Sequence, residues 1–155
     1  MGKKAFTLIE LVISTGVFLI TILGILAVYD HSILLSRYSE SSSLALQSAQ
    51  GKLEEMKSYL SNHTLAQLQV DYGLGGNPGN AFDPLGLTGK GGILFDASNP
   101  AAVGVKVVIS WTEKGRLFGE DRNQNGRFDA GDDNLDGNNE LDSPVQLETT
   151  FIEEI

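Results

Sequence analysis

The chain has 155 residues, no cysteine and a formal net charge of −9 at pH 7. Without cysteine it cannot form disulfides, so a domain in an oxidising periplasm would be stabilised by packing or by a metal ion. The acidic balance disfavours direct binding to nucleic acid or to anionic lipid head groups, because both require a cationic surface. Beyond an apolar N-terminal segment, about 120 residues remain, which suits one small domain.

The chain begins with an apolar segment of membrane length. Lys3 and Lys4 precede it, and the residues from Phe6 to Tyr29 carry a single charge, that of Glu10. About 24 helical residues reach roughly 36 Å, enough to cross a bilayer core with tilt. The basic pair favours a cytoplasmic N-terminus. Placing a carboxylate in lipid costs at least a few kcal/mol, so Glu10 is expected to be functional and to need a partner.

The basic pair, Ala5, Phe6 and Glu10 together resemble the class III signal of type IV pilins and of the pseudopilins of type II secretion. The resemblance implies that prepilin peptidase cuts between Ala5 and Phe6, that the freed amine of Phe6 is methylated, and that Glu10 neutralises this amine on a neighbouring subunit. Ala5 departs from the glycine that is usual before the cut. Residues 1–5 would be the leader and residues 6–29 the transmembrane and assembly half of a spine helix. An ordinary signal anchor is the plainer alternative; a secretory signal would have a shorter apolar region followed by its cleavage site.

Residues 30–63 are predicted to continue the same helix as its amphipathic half. No proline interrupts the chain from Phe6 to Leu60, so one helix of about 55 residues is expected. Thr64 is expected to cap a short helical turn, and His63 to lie near a helix end. The predicted buried face steps by three or four residues along Leu35, Tyr38, Ser42, Leu46, Ala49, Leu53, Met56 and Leu60.

Residues 64–155 are predicted to form a pilin-like globular head. Residues 73–92 hold eight glycines and two prolines, which predicts a loop without regular structure. Apolar alternation predicts strands at 105–112 and 145–151, and a third strand is expected at 93–95. The predicted fold class is therefore α+β, with a long N-terminal spine helix packed on a small antiparallel sheet.

Within the head, the resemblance narrows. The stretch 44–57, the strand containing Trp111 and the threonine-rich C-terminal strand look more like minor pilins and minor pseudopilins than like major subunits. Many major pilins close a C-terminal loop with a disulfide, which this chain cannot form. No enzyme is predicted, because His31 and His63 stand in isolation and no cysteine nucleophile, phosphate-binding loop or metalloprotease spacing is present.

Residues 120–143 form an acidic insertion between the predicted strands, and they match a calcium loop. Oxygen-bearing side chains alternate from Asp121 to Asp132, with glycine at the sixth position for a sharp turn and an apolar residue at the eighth. The pattern recurs eleven residues later, and it resembles the concatenated calcium loops of thrombospondin-type and dockerin-like repeats. The candidate ligands are Asp121, Asn123, Asn125, Arg127 through its main-chain carbonyl, Asp129, Asp132, Asn134, Asp136 and Glu140.

Calcium is expected in this insertion rather than zinc, because no cysteine or histidine is near and hard cations prefer oxygen. From Glu120 to Asp142 there are eight acidic and two basic residues, a formal net charge of −6, which repels itself unless a divalent cation binds. One Ca²⁺ is expected in the first loop. The second loop ends poorly at Ser143 and is the weaker site. A metal-free linker rich in Asx turns is the alternative.

Together these features predict a structural, minor pilin-like subunit of a type IV filament. Its partners would be prepilin peptidase, other pilin or pseudopilin subunits bound through the N-terminal helix, and the inner-membrane assembly platform. It would be a single-pass inner-membrane precursor with a periplasmic head, and later part of a pilus or pseudopilus. A minor pseudopilin of a type II secretion system shares every feature. A membrane-anchored, calcium-dependent adhesion or binding module, in which Glu10 is dispensable, is the alternative of another class.

Overall fold

The computed structural model describes residues 7–99, 102–129 and 140–152. Contacts divide the chain into two units, with the boundary between Glu40 and Ser41. The fold is α+β, as predicted, with a long N-terminal helix and an antiparallel sheet. The elements are α1 Leu8–Tyr59, α2 Leu65–Asp71, β1 Ala81–Phe82, β2 Gly89–Asn99, β3 Ala102–Glu113, β4 Arg116–Phe118 and β5 Gln146–Ile152.

The described part of the first unit is almost entirely the N-terminal part of α1. In the described ranges, α1 is the one helix long and apolar enough to cross a membrane. The hydroxyls of Ser14, Thr15 and Thr21 donate to the carbonyls four residues earlier at 2.7–2.8 Å. These bonds satisfy polar side chains inside the helix itself, which suits a segment that faces an apolar environment.

In the second unit, the C-terminal part of α1 packs through a line of small and apolar residues. Ala45, Ala49 and Met56 are fully buried. The predicted face is confirmed at Ala49 and Met56 but is wrong at Leu46, which is 40 % exposed. One residue turns a helix by about 100°, so the buried line runs along Ala45 rather than Leu46. Alanine at two successive turns allows close packing that leucine would prevent.

The sheet has the order β1-β2-β3-β4, with β5 pairing β3 beside β4, and every pairing is antiparallel. β3 is therefore the central strand. One of its faces meets α1, since the Ser41 hydroxyl donates to Glu113 Oε2 at 3.0 Å. That face is buried at Val103, Val105, Val107, Ile109 and Trp111. Val108 and Ser110 on the opposite face are also buried, and there the insertion covers the sheet.

The glycine-rich range 73–92 was predicted to be loop, and this is wrong for β1 and the start of β2. Gly91 pairs with Phe82, and a Cβ at Gly91 would lie 2.3 Å from the Phe82 ring. A Cβ at Gly92 would lie 2.5 Å from the carbonyl oxygen of Gly126. These glycines therefore serve close approach to a strand, not loop flexibility. The predicted strands at 93–95, 105–112 and 145–151 are confirmed within β2, β3 and β5.

The short helix α2 begins where the sequence predicts. Thr64 is its N-cap and forms a reciprocal capping box with Gln67. His63 Nδ1 lies 3.0 Å from the carbonyl oxygen of Tyr59, at the end of α1. Just after α2, the Tyr72 hydroxyl donates to Glu55 Oε1 at 2.9 Å and so fastens this segment to α1.

Candidate functional site

Glu10 lies in the first turn of α1 and is exposed. Its main-chain N–H donates to the carbonyl oxygen of Thr7 at 3.1 Å and lies 3.3 Å from the Thr7 hydroxyl oxygen. A carboxylate here interacts favourably with the helix dipole. Within the described residues, no cationic side chain forms an ion pair with Glu10. Ala5 and Phe6, the predicted cleavage and methylation site, lie outside the described residues.

In the acidic insertion, the first predicted loop is organised around Asp121. This carboxylate is 1 % exposed. Its Oδ1 accepts the main-chain N–H of Asn125 at 3.0 Å, and its Oδ2 accepts that of Gly126 at 2.8 Å. Gly126 has φ of +72°, in the left-handed region, as the sharp turn at the sixth position requires. The predicted first ligand thus fixes the main chain of the loop.

Two more predicted ligands, Asn123 and Asn125, bind a third, Asp129. The side-chain amides of Asn123 and Asn125 both donate to Asp129 Oδ2, at 2.9 and 2.6 Å. These two hydrogen bonds lower the pKa of the Asp129 carboxyl from its ordinary value. The main-chain N–H of Arg127 donates to Asn125 Oδ1 at 2.7 Å, while the Arg127 residue is exposed. The structure therefore brings together the described predicted ligands of the first loop.

For the second loop, the predicted ligands Asp132, Asn134 and Asp136 lie outside the described residues. Glu140 is described, and it forms an ion pair with Lys106 on β3 at 2.9 Å. The insertion is thereby tied to the outer face of the sheet.

Lys106 and Asp142 attach the insertion to the sheet, and the sequence did not reveal this contact. Lys106 Nζ lies 2.9 Å from Glu140 and 3.0 Å from Asp142. Burial alone would lower the pKa of the Lys106 ammonium, but its hydrogen bonds to the two carboxylates outweigh burial and the pKa is raised. The Asp142 carbonyl also accepts the main-chain N–H of Glu120 at 2.9 Å, which closes the neck of the insertion. Strand alternation could have placed Lys106 on the outer face, but no local pattern predicts partners more than 30 residues away.

The donor chemistry of the first loop fits calcium, since carboxylates, amides and main-chain carbonyls offer only hard oxygen. Across 7–99, 102–129 and 140–152, no three His, Cys, Asp or Glu side chains come together in a way that could hold a metal ion. The described part of the first loop supplies two carboxylates, Asp121 and Asp129. The other ligands would be the oxygens of Asn123 and Asn125 and the Arg127 carbonyl, and both amides would have to present oxygen where they now donate N–H to Asp129.

Comparison with known proteins does not assign the chain to a family. No protein-family model matches it, and no curated protein or solved structure gives a significant match. Its function is therefore inferred from the N-terminal helix, the head and the insertion.

Proposed function

We propose that this protein is a structural, minor pilin-like subunit of a type IV filament, trimmed by prepilin peptidase and assembled through α1. The observation that carries the proposal is a single helix, Leu8–Tyr59, which has a wholly unburied apolar window of membrane length and a lone carboxylate, Glu10, in its exposed first turn. The same helix supplies buried residues to the head. The proposed membrane segment and the head therefore share one helix.

The exposed apolar surface of α1 needs an apolar environment, first the membrane and then, in the filament, neighbouring copies of α1. Leu8, Phe18 and Ile20 are 82 %, 63 % and 72 % exposed. Burying each such side chain is worth about 1.5–3 kcal/mol, so this surface is unstable in water and favours lipid. The same side chains can be buried equally well against copies of α1, which allows a subunit to leave the membrane into a helical bundle.

Apolar packing alone does not fix how neighbouring copies of α1 align, and Glu10 would fix this alignment. A carboxylate buried among apolar helices requires a cation and hydrogen bonds, because an unpaired buried charge is strongly destabilising. The free amine that cutting before Phe6 would create is a cation that a neighbouring copy could supply. Pairing Glu10 with this amine would set the axial offset between subunits and would favour processed over unprocessed chains.

The insertion supports a structural role for calcium in the head. A chain without cysteine has no disulfide to restrain the segment between β4 and β5. Asp121, Asn123, Asn125 and Asp129 are gathered in one turn, so a Ca²⁺ ion would add ionic bonds to a loop that is already folded. The role we propose is stabilisation of the head in the calcium-rich medium outside the cytoplasm.

The assembly proposal is tested with Glu10→Ala and Glu10→Asp in the native host, together with N-terminal mass spectrometry. We expect the wild-type mature chain to begin at a methylated Phe6. Glu10→Ala should insert into the membrane but fail to enter filaments, and Glu10→Asp should recover part of the incorporation. Glu40→Ala, which removes a carboxylate elsewhere on α1, is the matched control and should assemble normally. Normal assembly of Glu10→Ala would instead support a membrane-anchored adhesion or binding module.

A minor pseudopilin of a type II secretion system would use the same helix and the same carboxylate. The two assignments differ in where the assembled chain is found. Recovery of the protein in filaments sheared from the cell surface supports the type IV filament. Its retention in the envelope, combined with a secretion defect on deletion, supports the pseudopilin.

A further inference from the structure

The outer edge of β5 is the longest free strand edge in the described sheet. β5 pairs with β3 over seven residues, Gln146 to Ile152, and with no other described strand. The main-chain N–H of Ile109 donates to the Val145 carbonyl. Because main-chain groups alternate in direction along a strand, the N–H and C=O groups of the odd-numbered residues of β5 point toward β3. The main-chain groups of Gln146, Glu148, Thr150 and Ile152 therefore point away from the sheet, along an edge of roughly 20 Å.

Within the described residues, the outer edge of β5 carries no proline, lysine or bulge that would protect it from pairing. The register of β5 with β3 is continuous and contains no bulge, whereas the pairing of β2 with β3 has a register shift between Asp96 and Asn99. Proteins commonly blunt edge strands with proline, lysine, bulges or covering loops. Gln146 to Ile152 contains neither proline nor lysine, and its even-numbered residues are exposed. Among the described strands, this edge is therefore exposed and unpaired.

A groove of about 650 Å³ lies beside this edge, on the sheet face opposite α1. It is lined by residues of β2, β3 and β5 and by Phe128, Glu140 and Leu141 of the insertion. Glu148 and Thr150 are among the lining residues from β5. The groove thus runs along the side of the edge on which an added strand would place half of its side chains.

The charge of this groove is negative. Its one lysine, Lys106, is occupied by Glu140 and Asp142. Asp96 and Glu148 are exposed, and neither forms an ion pair with a cationic side chain of the described residues. The β5 strand of a second copy is a poor partner for this edge, because Glu148 is its sole charged residue and it offers no cation. A cationic strand is complementary.

We propose that β5 binds an extended, basic segment of a partner protein by strand addition, with Glu148 pairing a lysine or arginine of that segment. Side chains on the groove face would be cationic, and those on the other face apolar, to pack beside the half-buried Leu147 and Phe151. The inference goes beyond the proposed function and does not depend on it, since it uses only the head.

The test measures binding of a labelled peptide to the full chain in an uncharged detergent, by fluorescence anisotropy. The probe is a seven-residue peptide of alternating valine and lysine. A second peptide has the same sequence and charge but carries N-methyl groups on alternate residues, which block one edge. We expect saturable binding of the first peptide, weakened by salt, and little binding of the second.

Two variants separate strand addition from simple charge attraction. Thr150→Pro removes an outward N–H but no hydrogen bond to β3, so it should keep the fold and weaken binding roughly three- to tenfold. Glu148→Lys should weaken binding further and reduce the salt dependence. Thr150→Ala and Glu54→Gln, an exposed carboxylate on α1, should bind like wild type. Trp111 fluorescence reports that each variant is folded.

Equal binding of the two peptides, or wild-type affinity of Thr150→Pro, would overturn the proposal and reduce the interaction to surface charge. Absence of binding at low salt would also overturn it. So would disulfide-linked dimers of Thr150→Cys that form as readily with the valine-lysine peptide present as without it, because they would show that β5 pairs with its own copy. The chain has no native cysteine, so the introduced thiol is unique.

Discussion

Replacing Asp121 by asparagine tests the role of the insertion most directly. The Asp121 carboxylate is buried and accepts two main-chain N–H groups, at 3.0 and 2.8 Å. Asparagine keeps one acceptor oxygen and turns an NH₂ group toward the other N–H. The variant loses one charge-assisted hydrogen bond and leaves a buried donor unsatisfied, a cost of about 2–4 kcal/mol. For a head of this size we expect a Tm lower by about 10–20 °C in chelator.

Calcium adds a second, separable effect. If the ion binds the folded loop, a concentration 100 times Kd stabilises the wild type by about 2.7 kcal/mol, and the Asp121→Asn variant should lose most of this gain. Unfolding of the full chain in detergent is followed by the fluorescence of Trp111, the single tryptophan, which is 1 % exposed. Asp83→Asn, which alters an exposed carboxylate outside the insertion, is the control. A wild-type Tm for Asp121→Asn would refute the capping argument, and an equal calcium shift in both proteins would refute the calcium site.

Three further variants test the packing and electrostatics of the head. Met56→Ala removes a fully buried side chain from α1 and should destabilise the head by about 2–5 kcal/mol in denaturant titrations. Gly126→Ala combines φ of +72° with a Cβ 2.7 Å from the Gly91 carbonyl oxygen, so it should release the insertion and speed its proteolysis. Burial first, and then the hydrogen bond to Glu55, raise the pKa of Tyr72 from 10.0 to about 12. The stability that protonated Tyr72 contributes is complete below pH 10 and is lost as pH rises toward 12. The Tm of Tyr72→Phe should therefore fall less steeply than that of the wild type above pH 10.

Local sequence patterns predicted the helices and strands whose formation depends on residues close together in the sequence. The proline-free apolar run gave α1, and the pairing of Thr64 with Gln67 gave the start of α2. Alternation predicted β3 and β5, because every second residue is buried over much of β3 and half-buried along β5. These signals depend only on neighbours within a few positions of the chain.

The errors occurred where distant chain segments meet. The glycines at 89–92 predicted a loop, but this segment is a strand. Gly91 lies against the Phe82 ring and Gly92 against the Gly126 carbonyl. The choice of Ala45 over Leu46 likewise depends on how closely α1 approaches the sheet. Composition cannot distinguish a glycine that frees the chain from one that admits a neighbour, since both lack a Cβ.

The insertion is held by contacts between residues close in the sequence and by contacts between residues far apart in the sequence. Its turn is local: Asp121, Asn125 and Gly126 are set by spacing and can be recognised in the sequence. Its attachment is distant: Lys106 of β3 holds Glu140 and Asp142 at the far end of the insertion. If Lys106 were replaced by methionine, the two carboxylates would lose their cation while the turn at Asp121 stayed intact. The local turn and the distant attachment can therefore be weakened separately, and a calcium ion bound at the turn should stabilise the head even when Lys106 is absent.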